Sequence, residues 1–148
     1  PSNSSAASDV YKRQDFAHNP DKIAASLSTL HKIGDRIIVI FQPHGYGPTR
    51  FLFNELSYTF NTYMNRNDVL IFQSIYDAGG TALRNISSKD LLNFIKIPSC
   101  YYIKDRLQII EMIKNIIRNG DIIVVMGARD NTLSDFAKDI WREINQNE

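Results

Sequence analysis

Apolar residues along the chain follow two spacings, which predict alternating strands and helices. Short, nearly continuous apolar runs at residues 36–41, 68–72, 100–103 and 121–126 predict strands covered on both faces. Stripes at three- and four-residue spacing predict the helices between them, at residues 20–34, 49–64, 87–96, 107–117 and 132–145. This alternation predicts an α/β, Rossmann-like, three-layer domain with a mostly parallel sheet and helices on both faces.

Two helix starts carry recognisable capping signals. Asn19 followed by Pro20 suits an N-cap and first helical position, and Ser87 with Asp90 resembles a capping box. The core-facing stripes expected on the helices are Ile23, Leu27 and Leu30; Phe53, Leu56 and Phe60; Leu107, Ile110, Ile113 and Ile117; and Phe136, Ile140 and Ile144.

The first 14 residues differ from the rest of the chain. They are polar, rich in Ser and Ala, and do not begin with Met. We interpret residues 1–14 as a non-native or disordered segment, with a natural flexible linker as the alternative. The folded domain is then expected to cover residues 15–148.

Composition narrows the classes of function. The 148 residues are 43% hydrophobic, enough for one globular domain with a core. Lys plus Arg number 17 against 16 Asp plus Glu, so no strong attraction to nucleic acid is expected. No apolar run reaches the ~18 residues of a membrane span, and no secretory signal opens the chain, which favours a cytoplasmic location. The single cysteine, Cys100, lies in an apolar run and is expected to be a buried structural thiol.

Four polar loops are expected to lie after strands, at residues 15–20, 42–50, 76–81 and 127–130, the first of them after a strand that no apolar run marks. Right-handed crossovers bring the carboxyl ends of parallel strands to one edge, where such sheets bind ligands. We therefore expect a polar binding face there. The candidate nucleotide- or substrate-binding residues are Asp15, His18, Asn19, His44, Arg50, Arg129 and Asp130.

Each candidate also has a purely structural explanation. His18 could stabilise a helix start, His44 could be a turn residue, and Arg129 with Asp130 could form a local ion pair. The glycines of these loops could only supply positive φ angles. His31 falls on a helix and is expected to be structural.

The sequence lacks the motifs of several common metal-binding, nucleotide-binding and catalytic sites. The three histidines, at positions 18, 31 and 44, do not have paired metal-ligand spacing, so no metal site is expected. No Walker A loop, dinucleotide fingerprint or nucleophile elbow is present, so a complete nucleotide enzyme is not encoded and no catalytic residue is assigned.

Four segments, in order, resemble the Mur ligases over residues 15 to about 145. They are Asp15-Phe16-Ala17-His18-Asn19-Pro20, Phe41-Gln42-Pro43-His44 with Thr49-Arg50, Tyr76-Asp77-Ala78-Gly79-Gly80, and Gly120-Asp121 through Gly127-Ala128-Arg129-Asp130. The resemblance is greatest to members that join alanine or a murein peptide to UDP-N-acetylmuramate.

The resemblance implies the C-terminal domain of an ATP-dependent, amide-bond-forming ligase of peptidoglycan precursor synthesis or recycling. In this family the domain closes over ATP and Mg²⁺ held mainly by a central domain, and an N-terminal domain completes the enzyme. The partners implied are those two domains, a UDP-muramyl substrate and an amino acid or peptide. The isolated chain is then expected to be inactive.

By matching position, Asp15 and His18 would face nucleotide and substrate, and His44 and Arg50 would lie in the substrate loop. Members that add alanine carry arginines where this chain has Gly45 and Pro48, and Phe16 replaces a Tyr. Since a guanidinium is the natural clamp for a carboxylate, alanine specificity is in doubt. The alternative function is a stand-alone Rossmann-like module that binds a small molecule or nucleotide.

Overall fold

The computed structural model describes residues 10–127 and 130–145. Eleven elements alternate along this part of the chain: β1 (Tyr11–Asp15), α1 (Pro20–Leu30), β2 (Arg36–Gln42), α2 (Tyr46–Phe51), α3 (Phe53–Tyr63), β3 (Val69–Phe72), α4 (Ser88–Leu92), β4 (Ser99–Tyr102), α5 (Arg106–Ile116), β5 (Asp121–Gly127) and α6 (Asn131–Asn145). None of the helices in the described ranges is long and apolar enough to cross a membrane.

The five strands form one sheet in the order β1-β5-β2-β3-β4. Every neighbouring pair is parallel, with Ile38 beside Val69 and Arg36 beside Asp121 in the register. All strands therefore end at the same edge of the sheet, as the alternating sequence pattern predicted. Ligands of open parallel sheets bind at this carboxyl edge.

The central strands are buried on both faces, which makes a three-layer domain. On β2, Ile37, Val39 and Phe41 belong to the core shared with α1 and α3, whereas Ile38 and Ile40 belong to the core shared with α5 and α6. Side chains alternate across a strand, so an unbroken apolar run supplies both cores at once. The Rossmann-like architecture predicted from the sequence is confirmed.

At the opposite edge of the sheet, where the strands begin, the buried charged side chains form ion pairs and hydrogen bonds. Arg36 and Asp121 form a buried pair, with Nε to Oδ1 at 3.0 Å and Nη2 to Oδ2 at 2.6 Å. Asp68, wholly buried, accepts hydrogen bonds from the amides of Ile37 and Asn65 and lies 2.8 Å from Nε2 of His31. The structural role expected for His31 is therefore confirmed.

Two details of the helices differ from the sequence expectation. The helix expected over residues 49–64 is two helices, because Leu52 (φ −98°, ψ 10°) interrupts the backbone after α2. On α5 the buried stripe is Ile109, Ile110 and Ile113, while Leu107 is 72% exposed. At 3.6 residues per turn, Leu107 lies roughly 110° from the centre of that stripe, too far round to reach the sheet.

The amino-terminal boundary also differs from the expectation. Residues 11–14 belong to β1, which pairs regularly with β5 at the sheet edge. Lys12 Nζ bonds Asn145 Oδ1 at 2.6 Å and Gln14 Nε2 bonds Ser134 Oγ at 2.7 Å, which ties the strand to α6. The expected boundary at residue 15 thus cuts through a strand, and the folded part reaches back to at least Tyr11. Residues 1–9 lie outside the described residues.

Candidate functional site

A pocket of about 230 Å³ opens at the carboxyl edge of the sheet, on the α1 and α3 side. The loop after β1, the loop after β2, and helices α2 and α3 contribute its walls. Its lining residues are His18, Asn19, Phe41, Pro43, His44, Pro48, Thr49, Leu52 and Leu56. Three of the candidates predicted from the sequence, His18, Asn19 and His44, thus meet around one pocket.

The turn after β1 is held by its own side chains. Asp15 accepts from the Ala17 amide at 2.9 Å through Oδ1 and from the Ser26 hydroxyl at 2.5 Å through Oδ2. Asn19 caps α1, with its Oδ1 accepting from the Lys22 amide at 3.0 Å, as predicted. These bonds fix the direction in which the chain leaves the sheet and enters the helix.

The His18 ring is oriented by a bond to its own turn. Its Nδ1 lies 2.9 Å from the carbonyl oxygen of Phe16. A carbonyl oxygen only accepts hydrogen bonds, so Nδ1 carries the hydrogen and the lone pair of the neutral ring is on Nε2. The neutral His18 imidazole therefore offers Nε2 as a proton acceptor.

His44 is positioned by the segment that follows β3. Its backbone forms an isolated parallel bridge with Tyr76, and the Gly45 amide donates to the Tyr76 carbonyl at 2.8 Å. The two rings stack with centroids 5.4 Å apart and planes at 27°. The His18 and His44 centroids are 6.0 Å apart. The two imidazoles are thus held side by side from separate loops.

The turn that leads from His44 into α2 needs its glycine. Gly45 has φ of 81°, and a Cβ there would come within 3.1 Å of Pro48 Cδ. The Thr49 hydroxyl donates to the Gly45 carbonyl at 2.6 Å and closes the turn. A larger residue at position 45 would therefore reshape the pocket wall.

Arg50 does not line the pocket, and its guanidinium is bonded to the segment that follows β3. Its Nη2 donates to the Leu83 carbonyl at 3.0 Å and to the side-chain oxygen of Asn85. Arg50 therefore braces the loop between β3 and α4.

A second arginine strengthens the same loop. Arg84 pairs with Asp77 at 2.9 Å and lies over the Tyr46 ring. Its hydrogen bonds lower the pKa of the Asp77 carboxyl to about 2.

Asp130 lies at the same edge but joins a polar cluster with α5 and α6. Its carboxylate accepts from the Thr132 amide at 2.9 Å and lies 3.6 Å from Arg106 Nη2. Arg106 also donates to Gln73 Oε1 at 2.9 Å and to the Thr132 carbonyl at 3.0 Å. Asp130 therefore caps α6 and pairs with Arg106. Its predicted neighbour Arg129 lies outside the described residues.

The apolar walls of the pocket and the second polar cluster were not predicted from the sequence. Leu56 was assigned only to the core-facing stripe of a helix, and Leu52, four residues before it, was not singled out. Tyr76 was singled out only as the first residue of a segment that resembles the Mur ligases, and Arg106 carried no signal beyond the start of a helix after a strand. Cys100 is half-buried, and burial raises the pKa of its thiol to about 12, as suits a structural thiol.

Comparisons of the sequence with a family model and with curated proteins identify the same family. The model of the Mur ligase, glutamate ligase domain matches residues 5–129. A UDP-N-acetylmuramate–L-alanine ligase from Lachnospira eligens is 42% identical over 121 residues, which are 78% of this chain and 25% of that protein. The corresponding ligase of Dictyoglomus turgidum is 32% identical over 124 residues, covering 81% of this chain and 26% of its own length. The chain thus spans about a quarter of the length of the curated relatives it matches.

Solved structures give the same fold at low identity. A murein peptide ligase from Psychrobacter arcticus 273-4 superposes with a TM-score of 0.66 at 17% identity, covering 92% of this chain and 28% of that one. A MurF ligase from Thermotoga maritima in complex with ADP gives a TM-score of 0.58 at 14% identity, covering 89% and 28%. At these identities the likeness concerns the fold.

Proposed function

The chain belongs to the Mur ligase family, as its glutamate ligase domain, and from this premise we propose that it is the substrate-closing domain of a longer, ATP-dependent ligase. That ligase joins an amine, carried by an amino acid or peptide, to a UDP-muramyl carboxylate. The observation that supports this most is the pocket at the carboxyl edge, where His18 and His44 stand 6.0 Å apart on two separate loops.

The pocket suits the amine substrate. An incoming amine is protonated in neutral water and must lose a proton before its lone pair attacks a carbonyl carbon. Nε2 of neutral His18 is an acceptor for that proton, since Nδ1 is held by the Phe16 carbonyl. His44, kept in place by the Tyr76 ring, lies on the other side of the same space and would orient the substrate.

Most of the other predicted site residues hold the loops that form the proposed site. Asp15 and Asn19 fix the turn that carries His18, and Arg50 braces the loop after β3. We keep Asp130 and Arg129 as candidates for the nucleotide side of the edge.

The described residues provide no cluster of metal-ligating side chains. Among them no group of three His, Cys, Asp or Glu side chains is arranged to hold a metal ion, and both oxygens of Asp15 already accept hydrogen bonds. ATP, when bound, supplies the phosphoryl group that activates a carboxylate in such a ligase. We therefore assign ATP and Mg²⁺ to the rest of the longer polypeptide, in the cytoplasm, and propose that this domain alone is inactive.

The test is a comparison of three histidine variants in the longer polypeptide. His18→Gln and His44→Ala are expected to lower kcat/KM for the amine by on the order of 100-fold, the usual size of an acid–base or orienting contribution. The third histidine provides a matched control, because His31 contacts Asp68 inside the fold. His31→Gln should lower the melting temperature and leave the KM for the amine unchanged.

Amide formation and ADP release are followed with saturating ATP and UDP-muramyl substrate, and folding is followed by circular dichroism. Kinetics of His18→Gln and His44→Ala that match those of His31→Gln would contradict the proposed site.

A further inference from the structure

The pocket presents carbon rather than polar atoms on most of its inner surface. Phe41 and Leu56 form a floor that is 0% and 2% exposed, and Leu52 and Pro48 add further apolar surface. Two polar groups of the wall are already used, because the Thr49 hydroxyl donates to the Gly45 carbonyl and the Asn19 oxygen caps α1. A group that enters this pocket is therefore recognised by apolar contact.

The size of the pocket exceeds what a methyl group fills. Its volume is about 230 Å³, whereas an apolar cavity of about 150 Å³ holds a benzene molecule. A branched aliphatic or phenyl side chain would cover the Phe41, Leu52 and Leu56 surfaces together. A methyl group would leave most of that surface against water, which is unfavourable.

The half-buried histidines set the orientation of such a ligand. His18 and His44 are more exposed than Phe41 and Leu56, so they form the rim and the apolar residues form the floor. A ligand with one polar and one apolar end therefore enters with its apolar end first. Its amino group then remains beside the imidazoles, where the proposed function requires it.

The guanidinium groups of Arg50 and Arg84, both among the described residues, are committed to the fold. Arg50 donates to the Leu83 carbonyl and Asn85, and Arg84 pairs with both oxygens of Asp77. A substrate carboxylate would have to compete with these acceptors. Binding at this rim thus depends more on the apolar side chain of the ligand than on a carboxylate clamp.

We propose that this pocket is the side-chain subsite for the incoming amine, and that it selects an amino acid with a branched aliphatic or phenyl side chain over alanine. This inference rests on the proposed function for the identity of the reaction. The pocket chemistry itself can be tested on the 148-residue chain.

The first experiment is a titration of the ¹⁵N-labelled chain with L-leucine and, separately, with L-alanine. Leucine should shift the amide signals of Thr49 and Leu52 in a saturable way, with a Kd at least about 10-fold lower than that of alanine, the least expected from one methylene in an apolar pocket. Equal or tighter binding of alanine, or no shift at these amides with leucine, would overturn the inference.

Two variants separate the pocket from the general packing of the chain. Leu52 lines the pocket and is half-buried, so Leu52→Phe should fill the space and reduce the leucine-to-alanine affinity ratio at least about 10-fold. Leu92 is also half-buried against the same core but does not line the pocket, so Leu92→Phe should leave the ratio unchanged. The same loss of selectivity in both variants would refute the subsite.

Kinetics of the longer ligase distinguish failure of this inference from failure of the proposed function. Amide product with leucine, valine or phenylalanine at a kcat/KM at least about 10-fold above that for alanine supports the inference. Efficient product formation with alanine in preference to all three overturns it and leaves the ligase function intact. No amide product with any amine overturns the function, and the titration of the chain then decides alone whether the pocket selects apolar side chains.

Discussion

Removal of the Asp121 carboxylate should destabilise the domain far more than a surface substitution does. Asp121 begins β5 beside Arg36 of β2, and only 3% of its surface is exposed. It accepts from Arg36 Nε and Nη2 and from the Arg118 amide at 2.8 Å. In Asp121→Ala the buried guanidinium keeps only its bond to the Ile116 carbonyl at 2.6 Å.

The magnitude follows from that uncompensated charge. Breaking a buried ion pair by removal of one partner costs about 3–5 kcal/mol, out of a total stability of about 5–15 kcal/mol for a typical domain. With about 2.1 cal/mol/K of unfolding entropy per residue, each kcal/mol lowers the melting temperature of a domain this size by about 3 °C. Asp121→Ala should therefore melt about 10–15 °C lower.

A double-mutant cycle isolates the pair from the turn that Asp121 also holds. Arg36→Met, Asp121→Ala and the double variant are unfolded in urea, and their free energies of unfolding are compared. The double variant leaves no unpaired buried charge, so we expect a coupling energy of about 2 kcal/mol between the two sites. Costs that add within about 0.5 kcal/mol would refute the reasoning, because independent sites behave that way.

Four further outcomes are expected. Gly127→Ala should prevent folding or lower the melting temperature sharply, because a Cβ there would lie 2.0 Å from the Gln42 carbonyl oxygen; near-native melting would contradict this close approach. Cys100 should react with Ellman's reagent at pH 8 far more slowly than free cysteine, since burial raises its pKa to about 12 and keeps the thiol protonated until the pH approaches that value; an ordinary rate would show an exposed thiol. Arg50→Ala should speed hydrogen exchange in the loop after β3 and raise the KM for the amine in the longer ligase. Faster exchange with an unchanged KM would show that Arg50 only stabilises this loop and does not contribute to amine binding. Deletion of residues 1–8 should leave the melting temperature nearly unchanged, and a drop of several degrees would assign that segment to the fold.

Most of the fold could be predicted from the sequence because its strands and helix starts leave local patterns of residues. The runs in β2 and β5 are apolar at nearly every position, and a strand buried on both faces produces that pattern. The Asn19 cap and the Ser87 capping box were also readable, because a helix start is decided within about four residues. β1 was missed because Tyr11–Asp15 is a polar edge strand without an apolar run.

The candidate site was predictable in its location and not in its shape. Parallel strands bring the loops that follow them to one edge, which is why His18 and His44 could be expected together. The direction of Arg50 towards Leu83 depends on the path of a loop more than 30 residues further on, and no local pattern encodes that path. The pocket likewise depends on the break at Leu52, where one predicted helix becomes two.

The most direct test of the central claim is ADP release by the 148-residue chain and by the longer polypeptide under identical conditions. Each is incubated with ATP, Mg²⁺, UDP-N-acetylmuramate and a panel of amino acids, and ADP and amide product are quantified together. We expect background ADP release by the chain alone, and stoichiometric ADP and amide from the longer polypeptide that depend on the amine. ATP turnover by the chain alone with the muramyl substrate, or absence of any amide from the longer polypeptide, would contradict it.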